Sequence, residues 1–138
     1  MASHIDFGIK GDFLKVEEVT NFLGFLPTFA FNPNEAYIGK EKRGDNILSV
    51  EKARPPFGVW HFSTEGRIAT NEIEDHAVYL LSKLKYSKEK INYYLNSNNY
   101  TVIISFWFEG PVGFDVSSKS LGQISEYCES FTFRFFES

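Results

Sequence analysis

The chain has 138 residues, with 14 basic and 18 acidic side chains and a net charge of −4. That length suits one domain, and a 43% hydrophobic content carrying 15 Phe and 7 Tyr supplies the apolar surface of a substantial core. The acidic balance argues against a general nucleic-acid or anionic-membrane binder, and one cysteine excludes an intrachain disulfide or a multi-cysteine zinc site. Ile5, Phe7 and Ile9 alternate with Asp6 and Gly8, the period-two pattern of a strand with one buried face. A short helix is expected from Leu14 to Leu23, with Val16, Val19, Phe22 and Leu23 on one face. Glu17 and Glu18 suit its N-terminal dipole, and Gly24 suits a left-handed C-cap with Pro27 beyond it.

Residues 28 to 58 read as an irregular excursion. It holds Asn32-Pro33-Asn34, a charged stretch from Gly39 to Asp45, Pro55-Pro56, and one short strand around Ile47 to Val50. Gly58 to Ser63 crowds aromatic and β-branched residues and reads as a second core strand. Asn71 is placed as an N-cap with Glu74 as its capping-box partner, opening a helix whose stripe is Ile73, Ala77, Leu80, Leu81 and Leu84. Ser87 is expected to cap a further helix burying Ile91, Tyr94 and Leu95, which ends at the turn-forming run Asn96-Ser97-Asn98-Asn99.

Tyr100 to Phe108 is the strongest strand. Both of its faces are largely apolar, which predicts a central strand covered on both sides. Gly110-Pro111 breaks it, and Ser117 caps a helix carrying Leu121, Ile124 and Cys128. Phe131 to Phe136 alternates and closes the chain as a strand. The order β-α-(loop)-β-α-α-β-α-β predicts a single α+β domain over residues 1–138. Its expected form is a ferredoxin-like mixed sheet of four or five strands, from two βαβ units with an inserted helix pair.

Several local patterns occur in a telling order: Gly11-Asp12, Phe22-Leu23-Gly24 with Pro27-Thr28, Gly58-Val59-Trp60, Ser63-Thr64-Glu65-Gly66, Glu74-Asp75-His76 and Leu80 to Leu84. With the strand bearing Trp107 and the segment Ser117 to Leu121, they give a chain that resembles the bacterial domain-of-unknown-function (DUF) family 4279 from about Ile5 to Phe136. The departure is the charged excursion around Lys40 to Asp45. The resemblance implies a small, soluble, bacterial α/β domain and brings no established activity with it.

Glu72, Glu74, Asp75 and His76 form the most tempting chemical cluster. Adjacent Asp75 and His76 point about 100° apart on a helix, so they do not converge as metal ligands would. The cluster reads instead as an acidic first turn with a histidine between core and polar rim. His61 faces opposite to Trp60 and Phe62 and has no identifiable nucleophile beside it. Cys128 reads as a small core residue, and His4 as part of an unstructured terminus. Gly110 to Gly113 lacks the Gly-Lys-Ser/Thr ending of a phosphate loop, and the bases Lys40, Lys42 and Arg43 are interleaved with Glu41 and Asp45. No catalytic, metal or cofactor site is expected.

The start, Met1 to Phe7, lacks a secretory pattern, and the longest apolar run, Val102 to Phe108, is interrupted by Ser105. That run falls well short of the ~20 residues of a membrane span. A lone thiol without a signal points to the reducing cytoplasm. Aromatics and arginine are enriched at interface hot spots, so a contact surface is expected at Arg67, Glu72, Asp75, Trp107 and Glu109. The resulting expectation is a non-enzymatic protein-binding domain, an immunity protein that neutralises a cognate bacterial toxin. It would be a monomer or weak homodimer with no nucleic-acid or membrane partner. The alternative is a small-molecule-binding or hydrolytic module using a cleft at Trp60, His61 and Trp107. A further option is a dimer paired through the Phe131 to Phe136 edge.

Overall fold

Alternation in β1 (His4–Gly11) decides the architecture: Ile5, Phe7 and Ile9 are wholly buried, while Asp6, Gly8 and Lys10 point to the opposite face. The structure, a computed structural model, describes residues 2–110 and 113–137. After β1 come α1 (Val16–Leu23), β2 (Phe29–Phe31), β3 (Ala36–Arg43), β4 (Asn46–Ala53) and β5 (Gly58–Ser63). Then follow α2 (Ile73–Leu84), a 3-10 turn (Lys85–Ser87), α3 (Lys88–Leu95), β6 (Tyr100–Glu109), α4 (Ser118–Ser125) and β7 (Ser130–Phe136). The fold is α+β. Five strands form one mixed sheet in the order β2-β5-β1-β6-β7, and β3 with β4 forms a separate hairpin.

One of the two expected parallel βαβ units is present. β6 and β7 run parallel across α4, with Phe106 opposite Phe133. β1 and β5 run antiparallel, with Phe7 opposite Phe62. The difference arises from the residues between α1 and β5. That excursion holds β2, which pairs with β5, and the long hairpin, so the chain returns to the sheet in the reverse direction. The single short strand expected near Ile47 is therefore β4, one of three strands in a segment read as irregular.

The helices lie on one face. α1 packs on β5, α2 on β1 and α3 on β6, and α4 rests on α2. Their stripes meet Trp60, Phe62, Val102, Ile104, Phe106 and Phe108 in one continuous core. Burying a side chain of this size contributes roughly 1.5–3 kcal/mol, so the apolar alternation dominates the energetics of folding. On the other face, Ile103, Ser105 and Trp107 of β6 stay only half-buried. The two-sided cover expected for this strand is thus a one-sided cover.

Helix ends are built partly as expected. Gly24 adopts a φ of 86° and donates its N–H to the Thr20 carbonyl, closing α1. Ser117 Oγ accepts the Ser120 N–H at 3.0 Å and caps α4. Asn71 and Ser87 do not cap. Asn71 Oδ1 accepts the Ser3 N–H at 2.7 Å, tying the chain start to the foot of α2, whose N-cap position is Glu72. The Ser87 hydroxyl donates to the Leu23 carbonyl at 2.7 Å, satisfying an orphan acceptor at the end of α1. Glu74 reaches away from its own helix to α4, where it accepts from Ser117 N–H, Ser117 Oγ and Ser120 Oγ. These donors, Ser120 first, hold its carboxyl below the usual range. The expected break at Gly110-Pro111 and the loop through Val112 lie partly outside the described residues, since Pro111 and Val112 are not among them.

Candidate functional site on the open sheet face

The face that carries no helix gathers Phe29 from β2, His61 and Ser63 from β5, His4 and Asp6 from β1, and Trp107 from β6. With Thr28 and Glu65 they line an open cleft of about 240 Å³. The alternation that buries Trp60 and Phe62 is what turns His61 outward. Its ring lies against Gly8, where an added Cβ would sit 2.6 Å from His61 Cδ2. Glycine is required there because only a bare backbone leaves room for the imidazole. The rim is fixed by Thr28, whose N–H donates to the His61 carbonyl at 2.7 Å and whose Oγ1 accepts the Ser63 N–H at 2.9 Å.

His4 is not part of a loose terminus. It is 4% exposed, and its ring stacks on Trp107 with centroids 5.9 Å apart and planes 10° apart. Nδ1–H donates to the Ala2 carbonyl at 2.7 Å; Nε2 lies 3.6 Å from Asp6 Oδ1, and Glu65 Oε2 lies 3.5 Å from Nδ1. The Arg134 guanidinium from β7 sits 5.4 Å from the Trp107 ring centre, within cation–π range. Two polar atoms here, Asp6 Oδ1 and Trp107 Nε1, are buried without a hydrogen-bond partner among the described residues. Burial pushes the His61 pKa below 6.5, against an upward pull from the Asp6 charge. His61 is therefore held neutral near neutral pH.

Trp60 does not belong to this cleft. It is 0% exposed on the helix side, where its Nε1–H donates to Thr20 Oγ1 at 3.0 Å. A cleft shared by Trp60, His61 and Trp107 is ruled out by strand alternation, which separates Trp60 from the other two by the thickness of the sheet. Of the five surface residues read from the sequence, Trp107 lines the cleft. Arg67 is exposed, its Nε donating to the Ser63 carbonyl at 3.2 Å and its guanidinium 4.7 Å from the Phe62 ring centre. Exposed Asp75 accepts from the Thr70 hydroxyl at 3.2 Å. Ser3 joins the remaining two regions: its N–H meets Asn71, beside Glu72, and its Oγ accepts the Glu109 N–H at 3.0 Å. Glu72 and Glu109 thus fall at the same end of the sheet.

His76 has a structural duty. Nε2–H donates to the Thr70 carbonyl at 2.8 Å, and Nδ1 accepts from Thr64 Oγ1 at 2.6 Å, which itself accepts the Ile5 N–H at 2.9 Å. Every polar atom of this buried relay is satisfied, so no valence is left for a ligand. Cys128 is half-buried, and burial pushes its thiol up to about 11, the opposite of an activated nucleophile. Among the described residues no three His, Cys, Asp or Glu side chains converge as a metal site, and no helix is long and apolar enough to cross a membrane.

A family model described as a domain of unknown function (DUF4279) matches residues 1–134, nearly the whole chain. The chain belongs to that family. No curated protein and no solved structure matched it. The DUF4279 match agrees with the resemblance read from the motifs and extends across the excursion, so the β3–β4 hairpin lies within the matched length.

The residues that sequence reasoning missed are His4, Asp6, Phe29 and Glu65. Asp6 carried a signal, because it lies on the same polar face of β1 as Gly8. His4 gave none, because its burial depends on Trp107 and Glu65, both far along the chain.

Proposed function

We propose that this DUF4279 domain is a non-enzymatic protein-binding module whose partner is a cognate toxin that it neutralises. The observation that carries the reading is the helix-free face of the five-stranded sheet, where Trp107 stands between His4 and Arg134 and exposed Phe29 lies on the far strand β2. Trp, Arg and aromatic anchors in a partly desolvated setting are the composition of interface hot spots. Five strands at ordinary spacing present a face of ~600 Å², close to the ~800 Å² that one partner contributes to a stable complex. The β3–β4 hairpin offers a separate apolar surface, with Ile38 and Ile47 each 70% exposed on a two-stranded arm. The net charge of −4 favours a basic partner and a fast, salt-sensitive association. The raised Cys128 pKa and the closed His76 relay support binding over turnover.

The test is affinity capture from the native host, followed by calorimetry of the purified complex at two salt concentrations. Trp107→Ala is expected to weaken binding at least ~30-fold, the loss of about 2 kcal/mol typical of a hot-spot residue. Capture of no stoichiometric protein partner refutes the reading. An unchanged affinity for Trp107→Ala moves the contact away from this face.

A further inference from the structure

We propose that the cleft bounded by His4, Asp6, Glu65 and Trp107 is a pocket for a guanidinium group. Asp6 Oδ1 is buried yet receives no hydrogen bond from any described residue. A buried carboxylate oxygen left without a donor is costly, so this atom marks a place where a donor is missing. Its neighbour His4 does not supply one. His4 Nδ1–H is committed to the Ala2 carbonyl, and Nε2 lies 3.6 Å from Asp6 Oδ1, beyond hydrogen-bond distance. That leaves Asp6 open to an N–H donor approaching from the cleft that both residues line.

Charge and shape narrow the class. Glu65 brings a second carboxylate to the other side of His4, and its side chain is 43% exposed at the mouth of the cleft. Among the described residues, no lysine or arginine pairs with Asp6 or Glu65. The remaining walls are three rings, Trp107, Phe29 and His61, with the hydroxyl residues Thr28 and Ser63. A planar guanidinium stacks on such rings and offers five N–H groups in a fork, whereas an ammonium presents a strongly hydrated point charge. Arg134 already places a guanidinium 5.4 Å from the Trp107 ring centre, within cation–π range.

The guanidinium comes either from an arginine of a protein partner or from a free guanidino compound. In the first case the inference rests on the open face being the contact surface; in the second it stands without it. The probe is N-acetylarginine N-methylamide, titrated near neutral pH into the full chain labelled with nitrogen-15. The reporter is the Trp107 indole N–H resonance. The Trp60 indole, held by Thr20 on the opposite face, is the internal control.

The expected result is a saturable shift at Trp107 with Trp60 still, and a Kd on the order of millimolar for so small a contact. Asp6→Asn should weaken it at least about tenfold, and Glu65→Gln about twofold, because a buried partner counts for more than an exposed one. The lysine analogue should bind at least about fivefold more weakly. A peptide with arginine between apolar residues that binds roughly tenfold tighter than the probe assigns a protein source, and equal binding assigns a free compound; both uphold the pocket. An absent or non-saturating shift, equal binding of the lysine analogue, or full affinity in a folded Asp6→Asn overturns it. Should Asp6→Asn fail to fold, undiminished binding by Glu65→Gln does the same. A protein partner whose affinity ignores Asp6→Asn, together with an absent shift from the probe, removes the pocket and leaves the contact surface standing.

Discussion

Replacing Thr64 by valine removes one oxygen from the interior and keeps the shape of the side chain. That oxygen serves two groups at once, accepting the Ile5 N–H and donating its own O–H to His76 Nδ1. Thr64 is 0% exposed and His76 2%, so water does not take over either role. Each orphaned buried group costs about 1–3 kcal/mol, which places Thr64→Val near a loss of about 3 kcal/mol after partial relaxation. With an unfolding entropy of ~2.1 cal/mol/K per residue, that loss lowers the Tm by about 10 °C. Urea unfolding followed by circular dichroism measures it, with m unchanged and the midpoint shifted. Thr64→Ser keeps both hydrogen bonds and loses one methyl, about 1 kcal/mol. A valine variant within about 0.5 kcal/mol of the parent, or a serine variant as damaged as the valine one, would refute the relay and reopen His76 as a free imidazole.

Burial lowers the His61 pKa, so the unfolded chain takes up this proton first and stability is lost as pH falls from 6.5 through the folded value. Proton NMR should show His61 titrating below 6.5, and lower still in Asp6→Asn; a rise on losing Asp6 would contradict the cleft geometry. For Glu74 the stabilisation is present above 4.5 and fades as pH drops through its depressed folded pKa. Glu74→Gln should flatten that acid limb in pH-dependent unfolding and cost at most ~1 kcal/mol at neutral pH. The β3–β4 arm makes its main contacts within itself, and its neck is closed by Arg54 N–H to the Glu35 carbonyl at 2.8 Å. Replacing residues 36–53 by Asn-Gly should therefore change unfolding free energy by less than about 1 kcal/mol, while a larger loss would place the arm in the core. A thiol raised to about 11 from 9.0 holds roughly 100-fold less thiolate, so Cys128 should alkylate about that much more slowly in the folded than in the urea-unfolded chain.

Local chemistry was legible wherever a side chain answers to its own neighbours. The alternation of Ile5, Phe7 and Ile9, the stripe from Ile73 to Leu84, the turn at Gly24 and the Ser117 cap all follow from strand or helix periods and from short-range backbone needs. The same alternation told that His61 turns away from Trp60. The hairpin was obscure because its exposed sides leave no buried stripe to count, although Gly44, at a φ of 61°, and Asp45 form a two-residue connection between β3 and β4. Strand direction, the identity of the helix-free face and the gathering of His4, Asp6, Glu65 and Trp107 were decided only by tertiary structure. Asn71 and Glu74 carry the reason: each had a plausible local partner, yet Asn71 bonds Ser3, 68 residues away, and Glu74 bonds Ser117, 43 residues away. A hydrogen bond depends on distance in space, and only the packed sheet brings those distant residues within reach.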